Sequence, residues 1–137
     1  MPRILGVDVG TVRIGLALSD PLGVTAQGLE VVTVSESLPV DAVVERVREH
    51  DVDEIVVGIP IRMDGTHGPE AESAEAFARA LEEATGLPVT RWDERLSTKE
   101  AARSMRAAGA DSRKQRGVID KVAAAVFLQA YLESRRT

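Results

Sequence analysis

The chain has 137 residues, 44 % hydrophobic and 28 % charged, with a formal net charge of −5. That length suits one globular domain and not comfortably two, so residues 1–137 are read as a single domain. Cysteine is absent, which excludes disulfides and thiolate metal sites and fits a cytoplasmic protein. Aromatics make up only 3 %, so aliphatic side chains must build the core, and a base-stacking platform of exposed rings is disfavoured. No run approaches the roughly 18 apolar residues of a membrane span. Met-Pro-Arg leads straight into a strand pattern, so neither membrane association nor a signal peptide is expected.

Arg3 to Val9 is a β-rich apolar run and reads as a first strand. Gly10-Thr11-Val12 signals a turn, Arg13 to Ser19 a second strand, and Asp20-Pro21-Leu22-Gly23 another turn. Val24 to Val34 supplies a third strand, weakened at Gly28. The period then changes. Val40, Val43, Val44 and Val47 recur at helical spacing, with Asp41 near the start. Ile55 to Val57 reads as a short buried strand ended by Gly58, and residues 60–69 as a polar loop. Ala71 to Ala84 forms a helix closed by Gly86, and Val89 to Trp92 a fifth strand. Ser97 to Ala108 reads as a helix ended by Gly109, and a last helix runs from about Val118 to Ser134. The order βββ-α-β-α-β-α-α predicts an α/β fold. An antiparallel β1–β3 meander followed by parallel strands gives a five-stranded mixed sheet flanked by helices.

One carboxylate is out of character. Asp8 lies between Val7 and Val9, where a core strand would carry a hydrophobe. A buried ionised carboxylate costs several kcal/mol unless something compensates it. "DVGT" allows two answers, a bound metal in a nuclease or the phosphate loop of an actin-like ATPase. Asp93 and Glu94 close the fifth strand, and Asp120 opens the last helix at the margin of its apolar stripe. Acids at element ends can converge on one edge of a sheet. Carboxylates suit Mg²⁺ or Mn²⁺, and two such ions ~3.5–4 Å apart can activate water and hold a phosphodiester. Each acid alone has a plainer use: Asp93 can pair with Arg95, and Asp120 can cap its helix.

The charge is unevenly spread. Residues 1–90 hold six basic and sixteen acidic side chains, whereas residues 91–121 hold nine basic and five acidic. In that basic segment Arg95, Lys99, Arg103 and Arg106 recur near helical spacing, and Arg113, Lys114 and Arg116 follow in a loop. Such a stripe can track a phosphate backbone without reading bases. The loop from Gly58 to Pro69 offers Arg62, Asp64, Thr66 and His67 to a substrate at a strand's carboxyl end.

Four blocks then carry a resemblance: "GVDVGTVRIGLALSD" at 6–20, "VVGIPIRMDGTHGPEA" at 56–71, "RWDERLSTKEA" at 91–101 and "RGVIDKVAAAVFLQAYLE" at 116–133. Together they resemble the YqgF/RuvX family of ribonuclease H-like proteins related to RuvC resolvases. The resemblance implies a ribonuclease H-like fold. It implies a metal-dependent nuclease acting at the 5′ end of pre-16S rRNA, with Holliday-junction resolution in DNA as the alternative. It also implies Asp8, Glu94 and Asp120 as the catalytic, metal-holding acids, with Asp93 in reserve. RuvC-type resolvases usually carry a second acid three residues further along the last helix, and Ala123 stands there.

On this reading phosphate and substrate contacts fall to Gly10, Thr11, Arg13, Arg62, Asp64, Thr66, Arg95, Ser97, Thr98, Lys99, Arg103, Arg113, Lys114 and Arg116. The expected cofactor is Mg²⁺ or Mn²⁺, two ions. The expected partner is structured RNA, a pre-ribosome or branched DNA, met by a monomer or homodimer. A non-catalytic ribosome-associated factor is the remaining alternative.

Overall fold

The computed structural model describes residues 3–10, 13–33, 39–96 and 113–135, with the side chains of the last stretch described from Ala123 onward. The predicted Ser97–Ala108 helix therefore lies outside the described residues, as do Thr11, Ser97, Thr98, Lys99 and Arg103. Strands β1 (Ile4–Val9), β2 (Arg13–Ser19), β3 (Ala26–Thr33), β4 (Glu54–Ile59) and β5 (Val89–Asp93) form one sheet of order β3-β2-β1-β4-β5. β1, β2 and β3 pair antiparallel, whereas β1–β4 and β4–β5 pair parallel. The helices are α1 (Pro39–Glu49), α2 (Pro69–Thr85) and α3 (Arg113–Ser134), and a 3₁₀ turn spans Glu94–Leu96. This is the mixed sheet expected from the element order.

Alternation along the strands divides the core into two layers. Leu5, Val7, Leu16, Ile55 and Val57 face Val43 and Val47 of α1 and Ala71, Ala74, Ala78 and Leu81 of α2. Ile4, Ala17 and Val56 face Ala124, Phe127, Leu128 and Leu132 of α3. The core is aliphatic, with Phe127 as its one fully buried aromatic among the described residues. On the α3 side the sheet is small-residued. A Cβ on Gly6 would stand 3.1 Å from Leu128 Cβ, and one on Gly58 would stand 2.9 Å from Phe127 Cε2. Glycine at these positions lets the helix lie close against the strands.

Several boundaries differ from the sequence reading: α2 begins at Pro69 rather than Ala71, and three others have a clear cause. β4 does not end at Gly58 but continues through it to Ile59, because Gly58 pairs with Asp8 on one side and Trp92 on the other. β3 begins at Ala26 rather than Val24. The Asp20 carboxylate accepts hydrogen bonds from the Val24 and Thr25 amides at 2.6 and 3.0 Å and holds them in the turn. Arg113, Lys114 and Arg116 are not in a loop. They belong to the first turns of α3, which starts five residues before Val118 and runs through Gly117. Lys, Gln and Arg are good helix formers, and one glycine costs only about 1 kcal/mol within a helix. α2 closes as expected at Gly86, whose φ of 70° is left-handed and whose amide donates to Glu82 O at 2.9 Å.

Candidate active site

The parallel strands β1, β4 and β5 present their carboxyl ends along one edge, and the acids gather there. Asp8 is the next-to-last residue of β1 and points to the α3 side of the sheet, in phase with Ile4 and Gly6. Its two cross-strand neighbours are both glycines, Gly15 on β2 and Gly58 on β4. Neither side chain crowds the carboxylate. The space above Gly58 is taken by Glu94, since a Cβ there would stand 3.1 Å from both Cγ and Cδ of Glu94.

Glu94 reaches that position because the chain leaves β5 in a tight turn. The Asp93 carboxylate accepts the Arg95 backbone amide at 2.9 Å and binds the Arg95 guanidinium through Nε and Nη2, at 3.0 and 2.7 Å. The two neighbours of Glu94 thus close on each other. Asp93 is in phase with Val89 and Arg91 on the opposite side of β5 from Trp92, and Arg91 bonds Glu75 and Glu82 of α2. Glu94 turns back to the Asp8 side, and the two carboxyl groups are in hydrogen-bonding contact.

The electrostatics follow from this contact. Burial, and after it the charge and hydrogen bond of Asp8, push the Glu94 carboxyl up to about 8. Two like charges so close cannot both ionise cheaply, so the pair holds one proton near neutral pH. Asp93 behaves oppositely: its bonds to Arg95 hold it below the usual carboxylate range. Of the adjacent acids at 93 and 94, the one beside Asp8 is therefore Glu94.

Asp120 lies on α3 one turn before Ala124, on the stripe that continues as Ala124, Phe127 and Leu128. Its side chain is outside the described residues. Among those residues no group of three acidic, His or Cys side chains meets as a metal-holding cluster. Ala123 is half-buried on the same helix.

The polar candidates divide by what already holds them. A Cβ on Gly10 would stand 2.4 Å from Arg13 O, and the Gly10 amide donates to that oxygen at 2.9 Å. Glycine is therefore required there by the β1–β2 turn, whatever else approaches it. Arg13 opens β2, half-buried. Asp64 accepts both the amide and the hydroxyl of Thr66, at 2.9 and 2.6 Å, so the two shape the 60–68 loop. The Arg62 guanidinium lies across Gly68, 2.5 to 2.8 Å from where a Cβ would be. Arg95 spends its donors on Asp93 and, at 3.4 Å, on Arg62 O. For Arg113, Lys114 and Arg116 the backbone alone is described.

Sequence reasoning missed Gly15 and Gly58 as parts of the site. The available signal was a glycine inside a strand, which marks a close approach to the backbone.

A family description for RuvX, "Holliday junction resolvase", matches residues 2–134. The chain belongs to the RuvX family. It is 51 % identical over 138 residues to a relative from Geobacillus kaustophilus, covering 98 % of this chain and 99 % of that one. It is 50 % identical over 133 residues to another from Syntrophus aciditrophicus, covering 96 % and 89 %. Both carry the name "Putative pre-16S rRNA nuclease". Among solved structures, Thermus thermophilus RuvC bound to a Holliday junction superimposes with a TM-score of 0.60 at 21 % identity, covering 99 % of this chain and 96 % of that one. The fowlpox virus resolvase with its junction DNA gives 0.57 at 13 % identity, covering 98 % and 99 %. These likenesses establish the ribonuclease H-like fold, and RuvX membership makes the chain a phosphodiester-cleaving nuclease by class.

Proposed function

We propose that this RuvX protein is a divalent-metal-dependent nuclease that trims the 5′ end of pre-16S rRNA, with Asp8, Glu94 and Asp120 as the acids of its site. The observation that carries the reading is the Asp8–Glu94 pair, with one carboxyl pushed to about 8 by burial and by its neighbour. Two hard oxygen donors held together against their own repulsion form an incomplete site that a small dication completes. Mg²⁺ or Mn²⁺ fits this donor set, and Asp8 and Glu94 would hold it, with Asp120 as the third acid. Bound there, the ion would supply charge for the leaving oxygen and a lower pKa for an attacking water.

The chain's own part is orientation and exclusion. Gly15 and Gly58 keep the carboxylates uncrowded, and Asp93 with Arg95 sets the turn that points Glu94 inward. The rRNA assignment comes from the names of relatives sharing about half their residues with this chain over nearly its whole length. Work on a ribosome precursor makes this a cytoplasmic protein. The test is cleavage of a 5′-extended 16S precursor in Mg²⁺ or Mn²⁺ by wild type and by Asp8→Asn. Wild type cuts and the variant loses at least about two orders of magnitude, the size typical of removing a group that acts on the transition state. Equal cutting by both proteins rules the site out.

Junction resolution is the second reading, favoured by the family description itself. A four-way DNA junction assayed beside the rRNA substrate separates the two.

A further inference from the structure

An open groove of about 640 Å³ is lined by Glu94 together with Pro60, Ile61, Met63, Asp93, Arg95 and Leu96. Its rim is unusual for a phosphate-handling site. Met63 is 78 % exposed and Leu96 67 %, two of the four exposed large hydrophobic side chains among the described residues. The other two, Leu22 and Val24, belong to the turn after β2. Arg95 shares this lining, and its guanidinium is fixed in plane. Nε and Nη2 donate to Asp93 at 3.0 and 2.7 Å, and Nη1 reaches Arg62 O at 3.4 Å. Its charge is answered by Asp93 and its donors are largely spent. What such a guanidinium still offers is its flat face, which stacks on aromatic rings.

We infer that this groove takes the base of an unpaired nucleotide next to the phosphodiester that is cut beside Asp8 and Glu94. The inference rests on the nuclease reading above and adds the state of the strand being cut. Glu94 belongs to both the groove and the carboxylate pair, so a strand crossing the site sets its neighbouring nucleotide against Met63, Arg95 and Leu96. A thioether and a guanidinium plane suit a base face. A duplex shows the protein phosphates and groove edges, while single strands can splay a base onto such a platform. Arg95 thereby moves from the phosphate-tracking stripe to the base slot. The few aromatic residues of the chain do not preclude stacking when a guanidinium and a methionine take their place.

The test compares binding of two fluorescent RNA hairpins with a single-stranded 5′ extension, identical except that one carries abasic residues through the extension. Anisotropy in Ca²⁺ reads affinity, and cutting in Mn²⁺ is followed in parallel. Wild type prefers the intact extension by about fivefold, the low end for one stacked base. In Met63→Ser and in Arg95→Lys, which keeps the charge and loses the plane, that ratio falls to within about twofold while the folding midpoint stays near wild type. An unchanged ratio in the variants, or none in wild type, overturns the slot. Preference for the intact extension without any cutting would sink the nuclease reading and leave the slot standing.

Discussion

Replacing Asp8 by Asn should make the protein more stable at alkaline pH while disabling it. In the folded chain Glu94 keeps its proton to about pH 8, against an ordinary 4.5. The folded state therefore binds more protons than the unfolded one between those values. Stability contributed below the unfolded value is lost as pH rises through the folded one. At ~1.4 kcal/mol per unit, the whole span amounts to about 5 kcal/mol. Burial is the largest cause and remains in the variant, with the charge and hydrogen bond of Asp8 next. Removing the Asp8 charge should return roughly 2 kcal/mol at pH 8, since an Asn amide can donate to the ionised Glu94. The check is urea unfolding at pH 5 and pH 8 with metal chelated. At pH 8 Asp8→Asn gains roughly 2 kcal/mol, and at pH 5 the gap closes to within about 0.5 kcal/mol. Saturating Mn²⁺ should then stabilise wild type more than the variant, because only the intact pair holds the ion well. A variant less stable than wild type at pH 8 would refute the claim that the two carboxylates oppose each other.

Gly58→Ala would bring a methyl 2.9 Å from Phe127 and 3.1 Å from Glu94. It should lower stability by about 1–3 kcal/mol and abolish cleavage, and thermal melting with a cleavage assay reads both. Asp93→Asn, whose Oδ1 still accepts the Arg95 amide and keeps the turn, should leave Mn²⁺ affinity within about threefold, whereas Glu94→Gln should lose most of it. Calorimetry giving equal losses would return Asp93 to the metal. Tyr131→Phe removes the hydroxyl that donates to Glu54 at 2.8 Å, where Arg135 also bonds, at the amino end of β4 away from the acids. It should cost about 1 kcal/mol in denaturant unfolding with kcat unchanged. A fall in kcat there would mean that α3 transmits strain to the site.

Much of this was legible beforehand for identifiable reasons. The period-2 runs at 4–9 and 13–19 and the period-3.6 stripe of α1 are local patterns, and a chain of mostly aliphatic hydrophobes shows them clearly. Asp8 stood out because it breaks such a run. The choice between Asp93 and Glu94 was not legible, because both close the same strand and either phase was open. Gly58 looked like a stop signal because a lone glycine after an apolar run usually is one. Its place inside the strand depends on pairing partners far along the chain. Arg113 to Arg116 looked like loop because their charges carry no apolar stripe of their own, yet they extend α3 all the same.

Apart from their ends, the sequence by itself determined the described strands and helices, and it supplied the short list of acids, since each is written in local periodicity and residue chemistry. Only the tertiary structure decided which acids meet. The order β3-β2-β1-β4-β5 brings strands from opposite halves of the chain side by side, and two glycines leave room beside Asp8. The Asp93–Arg95 bond then turns Glu94 into that room. Contacts between residues more than eighty positions apart follow from packing and register, which no local pattern encodes.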